Sequence, residues 1–468
     1  MITKLKNRLL YSLSVAVLAV SSVSAQTKVY YVSLDEGAVI TPNAVKEYYQ
    51  PQDVDGGTRV GIYPQAKFQT IDGFGGAFNE IGGEALMSLP KKARQEVVDA
   101  LFSPENSNFT LCRTAIGASD FGRDGYSYSE VADDYEMKNF SVDREKKSVI
   151  PAIKMAQESN PQLSIFASPW SPPAWMKHSG LMDQGDKNKS TNKLIDKPEI
   201  YEAYALYFAK YVEEYKKNGV AIDRIVVQNE TDIHTKYPSC VMTPDQLYKV
   251  ITYMRPLFDK RGVEAEIWAG TFRSAVVLDM IEYATNPDYM AAVDGVGMQY
   301  TSPQFIYDLQ ALSPSKPMMH TEGACFNSEN TTKQAFSRFA EVAGYINSGV
   351  QNYCYWNMIL DETKSSGWGW PQNSLVVIDM KKGDVVYTPD YAVMSLFGRF
   401  IKPGSVRVAS KSRGKDPIMT LVDGDNVNLF VKNESAEDMI FSCYENDKFI
   451  SNAVVPASSI AVITYKMN

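Results

Sequence analysis

Residues 69–80 read QTIDGFGGAFNE, and the meaning of its glycines decides the fold. Gly73, Gly75 and Gly76 suggest a dinucleotide-binding loop. That fingerprint needs a glycine at its sixth position, where helix and sheet pack closely, and an acidic residue about 20 positions on, at the end of a second strand. Here the sixth position is Phe78, and the downstream SLPKKARQEVVDALF reads as a helix. The phosphate reading fails on both counts. The alternative is a strand whose glycines let other backbone approach closely.

Outward from this stretch, short apolar runs rich in β-branched and aromatic residues alternate with longer segments of helical period. After IDGFGGAF come FTLCRTAIG, LSIFASPW, DRIVVQNE, EIWAG, VDGVGMQY, PMMHTEGA and NYCYWNM, eight candidate strands in all. Between them, PEIYEAYALYFAKYVEEYKKNG sets Tyr204, Phe208, Tyr211 and Tyr215 on one face, as a core-facing helix does. In TPDQLYKVITYMRPLF, Thr243 can cap, Pro244 suits the first helical position and Gln246 completes a capping box. Eight strand-helix repeats fit an α/β chain folded as a (β/α)8 TIM barrel, with a doubly wound sheet as runner-up. Past residue 400 the pattern changes to short alternating strands, an antiparallel β domain. The segment from KVYYVSLDEG to RVGIYPQAKFQ is also β-like, and is expected to pair with that tail in one β-sandwich. The expected division is 26–70 with 396–468 for the sandwich and 71–395 for the barrel.

The chain has 468 residues, 44% hydrophobic and 12% aromatic, ample for a large core. A net charge of -8 leaves no basic face for a phosphate backbone, so neither nucleic acid nor an anionic membrane surface is an expected partner. Lys4, Lys6 and Arg8 precede LLYSLSVAVLAV and then SSVSA, the pattern of a signal peptide over residues 1–25, cut near Ala25. The apolar run is too short to span a membrane. The reading is an exported chain, periplasmic or extracellular, with no integral membrane segment. Cys112, Cys240, Cys325, Cys354 and Cys443 are scattered and odd in number, which does not read as a disulfide framework. With only His178, His234 and His320, and no CxxC or HExxH, no metal and no cofactor are implied. GxSxG is absent as well. No signal for an oligomeric state is present.

In a barrel, chemistry sits where strands end. DRIVVQNE places Asn229 and Glu230 after strand four, and PMMHTEGA places Glu322 after strand seven. Paired carboxylates without metal ligands are the equipment of glycoside hydrolysis. One must be ionised to attack the anomeric carbon while the other holds a proton for the leaving oxygen, a difference set by burial and neighbouring charge. A lone glutamate is most often a solvated surface group. Both of these instead terminate apolar strands, among polar and aromatic residues.

IDGFGGAF, ASPWSPPAWMK, VVQNE, HTEGAC and YWNMILDE, in this order and at these intervals, resemble the glucosylceramidase family, glycoside hydrolase family 30. The resemblance covers about residues 66 to 408. It implies a (β/α)8 barrel with a β-sandwich built from both chain ends, and hydrolysis of β-glycosidic bonds with retention. Residue by residue it implies Glu230 as acid/base and Glu322 as nucleophile, with Asn229 on the sugar 2-hydroxyl and Asp120 accepting from outer hydroxyls. It further implies Trp170 and Trp356 as walls of the sugar subsite and Arg113 as a support beneath the carboxylates. Core packing is the alternative for either tryptophan, and a structural ion pair for Arg113. Trp175, Trp368 and Trp370 fall in loop-like sequence, where they could line outer subsites or cover the rim. His320, two residues before Glu322, is expected on the same side of its strand.

This chain departs from the family in two places. Thr231 follows the acid/base where proline is usual, and strand six carries Gln299 and Tyr300 where a His and aromatic pair is usual. Both changes touch the surroundings of the carboxylates. Asn229-Glu230-Thr231 is also a glycosylation sequon, which favours a bacterial exported enzyme. The expected substrate is a β-linked glycan or glycolipid, with glucosylceramidase-like or β-1,6-glucanase-like action on β-glucosides. Alternatives are β-xyloside or β-fucoside substrates, or a glycan-binding barrel without turnover.

Overall fold

The computed structural model describes residues 27–51, 54–184 and 189–467; the expected signal peptide lies outside them. Eight parallel strands make a barrel: Gly73–Phe78, Leu111–Ala115, Ser164–Ser168, Arg224–Val226, Glu266–Phe272, Gly295–Gln299, Met318–Glu322 and Asn352–Asn357. Each sequence-predicted strand is present, and strands one to seven pair in chain order. Strand eight pairs back onto strand one, Asn352 opposite Gly73. The remaining seam, between strands seven and eight, is bridged by Gln351 N–H on Met318 O and Gly323 N–H on Cys354 O. Between these two bonds the Asn352 side chain stands in for a peptide group. Its Oδ1 accepts from His320 N–H at 2.9 Å and its Nδ2 donates to His320 O at 2.9 Å.

The opening glycines now have a physical reason. A Cβ on Gly73 would lie 2.4 Å from the Cβ of Leu111, and one on Gly75 would lie 2.5 Å from Leu111 O. Strand one is wholly buried, and its glycines let the neighbouring strand close against it.

Helices cover the outside, and the longest, Pro198–Lys217, buries Tyr204, Phe208, Tyr211 and Tyr215 as its periodicity predicts. In Pro244–Arg261, Thr243 accepts from Gln246 N–H as expected, but the capping box is not formed. Gln246 Nε2 donates to Leu194 O at 3.1 Å, a buried carbonyl on the preceding loop that fixes the amide, and its Oε1 accepts no hydrogen bond among the described residues. Thr331 and Gln334 form such a box at Thr332–Ser348.

Both chain ends build the second sheet. Lys28–Ser33 pairs antiparallel with Ser459–Lys466, and Thr58–Thr70 lies between Val406–Ser412 and Met439–Glu445, the last pairing parallel. This β-sandwich has its own apolar cluster, including Val60, Ile62, Leu429, Val431, Phe441 and Ile463. A small sheet of Ile359–Asp361, Val376–Ile378 and Val385–Tyr387, not read from the sequence, follows strand eight. All five cysteines are buried free thiols. Among the described residues no helix is long and apolar enough to cross a membrane.

Candidate active site

The site is built on Arg113. It projects from strand two and is wholly buried, so its guanidinium must find partners. Nε donates to Ser168 Oγ at 3.0 Å and NH2 to the same oxygen at 2.6 Å. NH1 donates to Glu322 Oε2 at 2.7 Å and to Thr321 O at 3.2 Å, while NH2 also reaches Asn229 Oδ1 at 2.8 Å. One side chain from strand two thus ties together the ends of strands three, four and seven. Its Cζ lies 4.5 Å from the Trp170 ring and 5.6 Å from the Trp356 ring, which adds cation–π attraction in a dry setting.

Glu322 is the better furnished carboxylate. Besides Arg113, Oε2 accepts from Gln299 Nε2 at 3.3 Å, and Oε1 accepts from the Tyr300 hydroxyl at 2.6 Å. Burial pushes its carboxyl above the ordinary value, and Arg113, Tyr300 and Gln299 pull it back. Glu230 has fewer donors. Arg273 Nε stands 3.5 Å from its Oε1, too long for a strong bond, and Gln299 is the side-chain donor that favours its charge. Burial, then the charge of Glu322, push Glu230 up to about 7. Two neighbouring carboxyls that share one site hold a proton between them. Because the strong donors converge on Glu322, the negative charge is favoured there and the proton on Glu230.

Asn229 Oδ1 accepts from both Arg113 and Gln299, at 2.8 and 3.2 Å. Both acceptor positions are used, so its amide nitrogen is the end left to meet a ligand. Asp120 is buried on the loop after strand two; burial, then the charges of Glu322 and Glu230, raise its carboxyl well above the ordinary value. Trp170 and Trp356 stack at 5.0 Å between centroids and 26° between planes. The Trp356 indole N–H is buried without a partner. The structure therefore brings together Arg113, Asp120, Trp170, Asn229, Glu230, Gln299, Tyr300, Glu322 and Trp356.

The departures from the family can be read in place. Gln299 lies against Asn229 and both glutamates, with its own Oε1 accepting from the Thr321 hydroxyl at 2.7 Å, and Tyr300 spends its hydroxyl on Glu322. Thr231 donates its N–H to Thr271 O at 3.4 Å, a bond that proline could not make.

His320 is a correction. A register shift falls between His320 and Glu322, and the extra residue, Thr321, turns the two to different sides. The His320 ring stacks on Tyr353 at 4.3 Å and packs on Tyr345 of the helix Thr332–Ser348, with Nδ1 accepting from Cys354 N–H. It belongs to the packing outside the barrel. Among the aromatics, Trp175 ties two loops by donating to Ser129 O. Trp368 and Trp370 pack on Tyr237, whose phenol is raised by burial and then by the charges of Asp120, Glu230 and Glu322.

Residues that the sequence reading passed over are Ser168, Asp232, Tyr237 and Arg273. Ser168 and Arg273 end strand three and follow strand five, so position at a strand end could have flagged both. Among the described residues no three His, Cys, Asp or Glu side chains meet as a metal site needs.

Comparison with known proteins places this geometry in context. The sequence profile of the family described as "Glycosyl hydrolase family 30 TIM-barrel domain" matches residues 71–251. The chain is 30% identical over 371 residues to putative glucosylceramidase 1 of Caenorhabditis elegans, covering 73% of this chain and 69% of that one. It is 30% identical over 212 residues to the endo-1,6-beta-D-glucanase neg1 of Aspergillus fumigatus, covering 43% of each. The crystal structure of SrfJ from Salmonella typhimurium superimposes with a TM-score of 0.83 at 23% identity, over 94% of this chain and 100% of that one.

Proposed function

Because the chain belongs to glycosyl hydrolase family 30, we propose that it is a retaining β-glycosidase in which Glu322 is the nucleophile and Glu230 the acid/base. The observation that carries this reading is the unequal furnishing of the two carboxyls. Arg113 and Tyr300 hold the Glu322 oxygens at 2.7 and 2.6 Å, as an ionised nucleophile requires. Glu230 keeps its proton near neutral pH and can give it to the leaving oxygen. Attack by Glu322 on the anomeric carbon breaks the glycosidic bond and forms a glycosyl ester. That step removes the charge of Glu322. Glu230, now ionised, takes a proton from water as the water oxygen attacks the anomeric carbon; the ester bond to Glu322 breaks, its carboxylate is restored, and the sugar leaves with its configuration retained.

The remaining site residues take supporting parts in this reading. Asn229 donates from its free amide nitrogen to the sugar 2-hydroxyl, and Asp120 accepts from an outer hydroxyl. Trp170 and Trp356 wall the subsite, and Gln299 keeps Asn229 and Glu322 in register. We take the substrates to be β-glucosides, the class to which a glucosylceramide and a β-1,6-glucan both belong, and the names of the sequence relatives support that choice. We read the chain as exported on the N-terminal sequence pattern at residues 1–25.

The test is hydrolysis of aryl β-glycosides, glucosylceramide and β-1,6-glucan by the wild type and by Glu322→Gln, with the first-formed anomer followed by NMR. A β-anomer that appears first, and is lost in the variant, is the expected result. A first-formed α-anomer would overturn retention.

A further inference from the structure

An ion pair beside Glu230 has no part in the cycle just described. Arg273 stands one residue past strand five and reaches the turn after strand four. Its fork is taken by Asp232: Nε donates to Oδ1 at 3.0 Å and NH2 to Oδ2 at 2.6 Å. The same Nε is 3.5 Å from Glu230 Oε1. One cation therefore faces two carboxylates two residues apart and serves them unequally.

The arrangement is held by backbone. Glu230 sits in the left-handed region, at φ 44°, with its N–H donating to Thr271 Oγ1 at 2.8 Å, and the next N–H bonds Thr271 O. The turn after strand four is thus clamped to the segment that delivers Arg273. Side-chain exposure is 22% for Arg273, 13% for Asp232 and 8% for Glu230, so the three charges are only weakly screened by salt. The other groups that face Glu230 are Glu322, Gln299, Asp120, Tyr237 and Tyr300.

We propose, resting on the acid/base reading of Glu230, that Asp232 and Arg273 are positioning residues that divide Glu230 between its two duties. Asp232 withholds the guanidinium from Glu230 while the acid must keep its proton. Once that proton has passed to the leaving oxygen, Arg273 lies close enough to stabilise the carboxylate that will take a proton from water. The proposal requires the two side chains to act on Glu230 in opposite senses, and the catalytic pH profile to follow them.

The opposite signs are the test. With the side-chain carboxyl carbons of glutamate labelled with 13C, the Glu230 signal is identified by its loss in Glu230→Gln, and its titration is followed in folded protein. Asp232→Asn frees Arg273 for Glu230 and removes a like charge, so the midpoint should fall by about one pH unit. Arg273→Gln leaves Glu230 beside Asp232 and Glu322 without that cation, so the midpoint should rise by about one pH unit. Arg273→Lys keeps the cation and should restore most of the shift. The alkaline limb of kcat/KM should move in the same directions, because it reports the acid in the free enzyme. Shifts of the same sign, or none in folded variants, would overturn the proposal while leaving Glu230 as acid/base. Wild-type turnover by Glu230→Gln would instead overturn that reading and this proposal with it. If Asp232→Asn does not fold, the two Arg273 variants decide alone.

Discussion

Glu145 and Glu322 are both buried carboxylates of the barrel that accept from tyrosine. Glu145, on the short turn Asp143–Lys147, accepts from Tyr126 at 2.6 Å and Tyr128 at 2.8 Å on one oxygen and from Tyr215 on the other. It is 1% exposed, and burial pushes it to about 7 while the three hydroxyls pull it back. Glu322 accepts from one tyrosine, a buried arginine and an amide, and it shares its surroundings with Glu230 and Asp120. Both carboxyls are raised, so a raised carboxyl does not mark a reactive one. What differs is company and placement. Glu145 is enclosed by donors and holds a loop in place, whereas Glu322 ends a barrel strand beside a second carboxyl.

That contrast can be broken or sharpened by substitution. The largest effect belongs to Glu322→Gln. Loss of the nucleophile should lower kcat on an aryl β-glucoside by about 10⁴-fold or more in folded protein, with the thermal midpoint lowered because buried Arg113 loses its paired anion, and near wild-type turnover would refute the assignment. Next comes Glu230→Ala, expected to lose about 10²- to 10⁴-fold with poor leaving groups and to be rescued by azide, with a β-glycosyl azide as product. An α-configured azide would show that the wrong carboxyl carries the proton.

Tyr300→Phe should cost about tenfold in kcat/KM, the worth of a hydrogen bond to a charged group. Removing a donor to the ionised form raises Glu322, and the nucleophile must be ionised to act. The acidic limb should therefore move to higher pH, and a limb that stays in place would remove Tyr300 from the site.

The smallest effect, and one on stability alone, is expected for Glu145→Gln. The folded protein binds a proton here that the unfolded chain releases above about 4.5. The stability contributed by this carboxyl is therefore full below about 4.5 and lost as pH rises through about 7. The variant should be less stable than the wild type by about 1–2 kcal/mol at low pH, and the gap should close toward neutrality. Denaturant unfolding across that range measures it, and a gap that widened with pH would mean that Glu145 is ionised in the fold.

The strands were legible because each is an apolar run, and the helices because their buried faces repeat at helical spacing. The two glutamates were legible because both follow such runs. Strand four in fact spans only Arg224–Val226, and Glu230 follows an irregular turn, so the position of the residue could be read but not its backbone. The shift at Thr321 has no local signal; it arises from how strand seven fits strand six, and it sends His320 outward. Arg273 and Asp232 stayed invisible because each looks like a surface charge until two loops meet. The unformed box at Gln246 shows the same limit, since a distant carbonyl fixes its amide.

The central claim is that Glu322 takes the sugar covalently. Incubation with a 2-deoxy-2-fluoro-β-glucosyl fluoride, followed by proteolysis and mass spectrometry, tests it most directly. A single fluoroglucosyl group on Glu322, absent from Glu322→Gln, is the predicted result. A label on Glu230, or turnover of the parent aryl glucoside with no covalent species trapped, would contradict it.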